Sequence, residues 1–122
     1  MYLFVMVLNH TDKMAEIIEE FKRIGVKGAT ILDSIGSGRV RKFPGGEIPI
    51  IAGLKKLLEN GYPHNKTIFS VVESLEQARE MVDVVESIVG DFTQPGTGIV
   101  FCLKLEFFHG GALGSSLKNQ GD

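Results

Sequence analysis

A glycine-rich corner at 36–41 contains the residue types that could bind an anion. It holds Gly36, Ser37 and Gly38, and these are followed by Arg39 and Arg41. Glycines allow successive backbone N–H groups to turn to the same side and cradle an anion, and an arginine adds a charged fork of donors. The segment lacks the Lys-Ser/Thr signature of a P-loop and the third glycine of the dinucleotide motif. The corner therefore predicts anion binding, with a flexible loop as the open alternative.

A second glycine corner has the same character. Gly96, Thr97 and Gly98 follow Pro95 and precede a long apolar segment. Both corners adjoin predicted strands, so two of them could face each other across a boundary between subunits.

Residues for catalysis or metal binding form no recognisable motif. No serine or cysteine lies in a nucleophile motif, and no carboxylate pair has an acid/base context. His10, His64 and His109 lie in different segments, without the close spacing of metal ligands. The single cysteine, Cys102, lies in an apolar segment, where a buried and inert thiol is expected. We predict a protein that is not an enzyme and has no catalytic residues, no metal site and no essential cofactor.

Charge is distributed unevenly along the 122 residues. The formal charge of −2 argues against a dedicated binder of nucleic acid or of anionic membranes. Residues 36–66 hold six basic and two acidic residues, so this segment carries +4 and the rest of the chain −6. The basic segment is either a solvated face or a contact surface for an anionic ligand or an acidic partner. The apolar start is too short for a signal peptide or a membrane span, so we predict a cytoplasmic protein.

Hydrophobic periodicity predicts two copies of a strand–helix–strand unit. In the first, a strand over 2–8 precedes an amphipathic helix that is capped by Thr11 and ended by Gly25. The second strand of this copy spans 29–35, and Asp33 lies near its end.

The second copy has the same order of elements. A strand over 68–72 is followed by a helix that begins with a Ser74/Gln77 capping box and ends at Gly90. A long strand then spans 99–108.

Two such units most simply share one antiparallel four-stranded sheet with both helices on one face. We therefore predict a single domain over 1–109 of the α+β class, the ferredoxin-like βαββαβ sandwich. Its β2–β3 connection over 36–66 contains a short helix at about 48–60, and 110–122 form a flexible, glycine-rich tail. The strands are apolar on both sides, so the second face of the sheet needs a cover, which oligomerisation would supply.

The order of these motifs resembles the nitrogen regulatory protein PII superfamily. The resemblance covers 1–109 and rests on the segment 28–39, the strand 67–72 and the turn 95–98. It implies a homotrimer with inward-facing sheets, which binds adenine nucleotides such as ATP, ADP or AMP in the clefts between subunits. It also implies a role in signal transduction and nitrogen regulation, in which the long loop docks on a partner protein.

The resemblance also implies which residues contact the ligand. Thr30 is similar to the family's threonine after the strand-opening glycine, and 36–39 and 96–98 are similar to its two glycine turns. Ile99 stands where the family has a phosphate-binding lysine, and two further arginines are missing near Gly110 and Ala112. We therefore predict a PII-like sensor with an altered ligand site, formed by Thr30, Gly36, Ser37, Gly38, Arg39, Arg41, Gly96, Thr97 and Gly98.

Two alternatives on the same kind of sheet remain open. One is a CutA-type trimer that binds divalent metals, for which the three histidines would be ligands. The other is an amino-acid-binding regulatory domain that pairs its sheets edge to edge.

Overall fold

The computed structural model describes residues 1–9, 12–36 and 65–111. The predicted helix at 48–60, nearly all of the long connection and the tail from 112 lie outside these residues, as does Thr11. Within the described ranges, neither helix has the length and apolar character that crossing a membrane requires. The elements are β1 (Tyr2–Leu8), α1 (Met14–Arg23), β2 (Thr30–Ser34), β3 (Asn65–Val72), α2 (Leu75–Val89) and β4 (Gly98–Lys104).

The four strands form one antiparallel sheet in the order β2-β3-β1-β4. The two central strands are therefore the first of each strand–helix–strand unit, and β2 and β4 lie at opposite edges. This is the predicted ferredoxin-like α+β arrangement.

The core lies between the sheet and the two helices. Along β1, Phe4, Met6 and Leu8 are fully buried, whereas the residues between them are only half-buried, because alternate side chains point to opposite faces. The Phe4 ring packs edge-on against Phe21 of α1, with 6.3 Å between ring centroids. The other buried apolar residues are Ile17, Val26, Ile68, Val72, Ala78, Met81 and Val85.

The predicted capping box starts α2. The Gln77 backbone N–H donates to Ser74 Oγ at 3.1 Å, and Gln77 Oε1 accepts from the Glu73 backbone N–H at 3.0 Å. Such a cap stabilises a helix by about 1 kcal/mol. Gly90 ends α2 with φ +105, a conformation that favours glycine.

Several predicted element boundaries differ from the structure; β2, predicted at 29–35, spans Thr30–Ser34, and β4 begins one residue earlier than predicted, at Gly98. The N-cap of α1 is Lys13, and its side chain makes no capping hydrogen bond. β3 begins at Asn65 rather than at 68, because its first residues pair with β2. β4 ends at Lys104 rather than at 108, because its ladder partner β1 begins at Tyr2, which pairs with Lys104.

Cys102 is half-buried rather than fully buried. It lies on the helix-facing side of β4, at the margin of the core. Burial raises the pKa of the Cys102 thiol, so the thiol is protonated at neutral pH.

Candidate functional site

The face of the sheet opposite the helices is an open apolar surface. On β4, Ile99, Phe101 and Leu103 are 57%, 43% and 52% exposed. The register places Val5 between Phe101 on one side and Phe69 on the other, so the apolar residues form rows across neighbouring strands. We call this surface the open face; it comprises Leu3, Val5, Val7, Thr30, Leu32, Thr67, Phe69, Val71, Ile99, Phe101 and Leu103. A contiguous apolar surface of this kind marks an interaction site.

The two glycine corners lie at the same end of the sheet but at opposite edges. Gly36 lies two residues beyond β2, and Gly98 begins β4 opposite Leu8. Three inter-strand spacings separate these edges, or about 14 Å. Within one protomer Gly36 therefore lies apart from the second corner.

The second corner is held tightly against the end of β1. The Asn9 side-chain amide donates to the Gly96 carbonyl at 2.8 Å, and the Asn9 backbone N–H donates to the Thr97 carbonyl at 3.1 Å. Thr97 is buried, with 6% of its surface exposed. Gly98 has φ +146, and a Cβ there would lie 2.0 Å from the Val7 carbonyl oxygen. The corner is thus a preorganised turn, and Asn9 is a positioning residue that the sequence motifs did not indicate.

In the turn that leads into this corner, a carboxyl group accepts hydrogen bonds from a neighbouring residue. Asp91 Oδ1 accepts hydrogen bonds from the Thr93 backbone N–H and hydroxyl, each at 2.8 Å. These bonds hold the pKa of the Asp91 carboxyl below its ordinary value, the backbone bond contributing most. Glu86 accepts a hydrogen bond from the Phe92 backbone N–H at 2.8 Å. Both carboxylates therefore accept hydrogen bonds that stabilise this turn.

Only Gly36 of the first corner belongs to the described residues. Ser37, Gly38, Arg39 and Arg41 lie outside them, so their predicted contacts with a ligand stay predictions.

The strand ends beside the first corner are joined by polar contacts. The Ser34 and Thr67 hydroxyls lie 2.7 Å apart, and Asp33 forms an ion pair with Lys66. Asp33 lies one residue before the end of β2, close to the predicted strand end. These contacts fix the base of the first corner.

Thr30 lies away from both glycine corners. It begins β2 and pairs with Phe69 of β3, whereas Ser34 ends β2 about 13 Å further along the strand. Thr30 instead lines a cavity of about 440 Å³ at the other end of the sheet. The predicted ligand residues that the structure describes, namely Thr30, Gly36 and those at 96–98, thus occupy three separate places in one protomer.

Two further predictions concern the charge beside the second corner and a metal site formed by histidines. The Ile99 side chain lies on the open face, and as a hydrocarbon it gives the second corner no charge. Of the three histidines only His109 is described, and the described ranges contain no group of three side chains suited to holding a metal ion.

Comparison with known proteins gives a likeness among solved structures. Neither a protein-family model nor a curated protein matches the sequence. Among solved structures, the chain is similar to a candidate PII-like signaling protein from Thermus thermophilus, at 19% sequence identity. The match covers 83% of this chain and 80% of that chain, with a TM-score of 0.49.

Proposed function

We propose that the protein is a homotrimeric, PII-like regulatory protein that senses a small anionic ligand at the seams between its subunits. The observation that carries the proposal is the open face, which leaves large apolar side chains of an edge strand about half exposed. Burying apolar surface contributes about 25 cal/mol per Å², so association through this face is favourable. Three copies that point their sheets inward would cover it.

Closing such a ring also accounts for the placement of the two corners. A contact between different edges of successive copies is heterologous, and heterologous contacts generate a closed ring when the rotation between copies closes, here at about 120° for a trimer. The β2 edge of one copy would then adjoin the β4 edge of the next. That arrangement would bring the corner after β2 and the corner before β4 to one seam, which a single protomer does not do.

The chemistry of the seam favours an anionic ligand. Backbone N–H groups of the glycine corners would cradle it, and Arg39 and Arg41 would supply charge from the basic segment 36–66. An adenine nucleotide such as ATP, ADP or AMP is the proposed ligand. The apolar Ile99 beside the second corner argues for weaker triphosphate binding than a lysine there would give.

The output of the sensor would be regulatory and non-enzymatic. We assign the contact with a partner protein to residues 36–66, whose charge of +4 suits an acidic surface. A cytoplasmic location and a role in nitrogen regulation complete the proposal.

Light scattering and thermal shift test the proposal together. The mass in solution should be three times the 13.3 kDa of the chain at micromolar concentration. Millimolar ATP, ADP or AMP should raise the melting temperature, because a ligand that binds only the native state stabilises it. A monomer would contradict the proposed trimer. A trimer that no nucleotide stabilises would contradict the proposed ligand.

Substituting Arg39 by Ala should weaken the stabilising nucleotide by about 1.5–3 kcal/mol, the value of a charged hydrogen bond. Titration calorimetry of both proteins measures the difference. Arg23→Ala is the control, because Arg23 lies on α1, is paired with Glu20 and has a side chain that is 63% exposed. Equal affinity in wild type and Arg39→Ala would show that Arg39 does not contact the anion.

A further inference from the structure

A groove on the helix-covered side of the sheet lies between α1 and the edge strand β2. Its walls are Ile18, Phe21 and Lys22 of α1 on one side, and residues 26–29 with Ile31 on the other. Alternate side chains of a strand point to opposite faces, so Ile31 lies on the helix side, whereas its neighbour Leu32 belongs to the open face. The groove, which we call the outer groove, is therefore on the opposite side of the sheet from the surface that the proposed trimer covers.

The outer groove has an apolar floor that is only partly covered. Phe21 and Val26 are buried beneath it, Ile18 is half-buried, and Ile31 leaves 38% of its surface exposed at the rim. The volume of the groove is about 240 Å³, which is below the roughly 300–1,000 Å³ of pockets that enclose a whole small molecule. A space of this size suits one large apolar side chain that belongs to a bigger partner.

The charge beside the groove is positive. Of the lining residues that the structure describes, only Lys22 and Lys27 are charged, and both are basic. Lys22 is exposed and forms no ion pair with any other described residue. The Lys27 ammonium is 3.9 Å from the Glu73 carboxylate, in a pair whose side chains are 40% and 52% exposed, and such exposed pairs contribute little. The groove is thus complementary in charge to an acidic partner.

Hydrogen bonds hold the wall formed by residues 26–29 in place. The Val26 backbone N–H donates to the Phe21 carbonyl at 2.9 Å, which folds the chain back over the end of α1. The hydroxyl of Ser70, which is 4% exposed, donates to the Gly28 carbonyl and ties the segment before β2 to β3. A groove that is already formed costs less ordering free energy on binding.

We propose that the outer groove is a docking site for an acidic segment of a partner protein, which inserts one large aromatic side chain. The inserted side chain packs against Ile18, Phe21 and Ile31, and the flanking carboxylates meet Lys22 and Lys27. Buried aromatic anchors carry much of the binding free energy at protein interfaces, and complementary charge around them speeds association and fixes partner choice. The site goes beyond the proposed seam and the contact assigned to 36–66, because its walls all come from residues 18–31 of one protomer.

A blocked pentapeptide with a central phenylalanine between two pairs of glutamates is the probe. When it is titrated into the full chain at low salt, the amide chemical shifts that move should centre on Val26 and Ile31. Replacing its phenylalanine by alanine should lower the affinity at least about tenfold, because the anchor is lost. No shift, shifts centred on the open face or the glycine corners, or equal affinity for the two peptides would overturn the proposal. Hexanoate that binds as tightly as the peptide would also overturn it, because the groove would then be a site for a small ligand.

Lys22→Glu should lower the affinity for the phenylalanine peptide at least about tenfold, because it replaces an attractive charge with a repulsive one. Lys13→Glu is the matched control, because Lys13 is an exposed lysine that precedes α1 and does not line the groove. Circular dichroism confirms that both variants are folded. Unchanged affinity in Lys22→Glu, or an equal loss in the two variants, would overturn the proposal.

A second copy of the chain is the competing occupant of the groove, and Ile31→Glu tests for it. This variant should also bind the peptide at least about tenfold more weakly, because it places a carboxylate at the rim, and it should keep the wild-type mass in light scattering. A fall in mass would show that another copy covers the groove and would overturn the proposal. A trimer that binds ATP but not the peptide would contradict the groove alone, whereas a monomer that binds the peptide, with Lys22→Glu weakened, would contradict the trimer alone.

Discussion

Replacing Phe101 by Glu should dissociate the assembly into folded monomers. In the isolated protomer the Phe101 side chain is 43% exposed on the open face, in the middle of the edge strand β4, so a glutamate there is solvated and the subunit loses little stability. In the proposed trimer the same carboxylate would be buried without a partner, which costs on the order of 3–5 kcal/mol. Light scattering should show the mass fall from that of a trimer to that of one chain.

Leu75→Glu is the control for this experiment. Leu75 is also 43% exposed, but it lies at the start of α2, on the other side of the sheet. A glutamate in the first turn of a helix is favourable, so this variant should keep the wild-type mass and melting temperature. A trimeric Phe101→Glu protein, or dissociation of both variants, would show that the open face is not the subunit interface.

Replacing Gly98 by Ala should lower the melting temperature by about 10 °C or more, equivalent to a loss of more than about 3 kcal/mol. The new Cβ would lie 2.0 Å from the Val7 carbonyl oxygen and 3.3 Å from Leu8 Cα, so β1 and β4 must separate locally. The φ of +146 adds backbone strain for a residue with a side chain. Thermal unfolding followed by circular dichroism measures the loss.

The Gly96→Ala variant separates the effect of backbone strain from the effect of a steric clash at this corner. Gly96 also has a positive φ, +89, but a Cβ there would meet no atom within 4 Å. Its substitution should therefore cost only about 1–2 kcal/mol. Equal losses in the two variants would show that the contact with Val7 is not what requires glycine at 98.

Gly98 also shows where the sequence argument and the structure diverge. The sequence analysis predicted Gly98 as part of a turn that contacts a ligand. The structure shows that the space beside Gly98 is already filled by β1, so the glycine is required by the fold itself.

Local patterns in the sequence predicted the fold well. The strand at 2–8 was predicted with the bounds it has, because its continuous apolar run ends at the polar Asn9. The Ser74/Gln77 box and Gly90 were predicted as helix ends because their hydrogen bonds and dihedral angles depend only on neighbouring residues. The apolar character of the second face also followed from the sequence, since the strands are apolar on both sides.

Features that depend on distant partners were not predictable in the same way. The end of β4 is set by where β1 begins, and the start of β3 is set by its pairing with β2. Asn9 is 87 residues from the Gly96 carbonyl it binds, so no local spacing marks its role. The cavity beside Thr30 joins four segments that are remote from one another in sequence, so no local motif marks it.

Ser34 pairs with Asn65, so the chain leaves β2 and re-enters the sheet on β3 at adjacent positions. The Ser34–Thr67 and Asp33–Lys66 contacts join the two strands at this base. Side-chain contacts within the sheet therefore reinforce the register of β2 and β3 at the very point from which the basic segment departs.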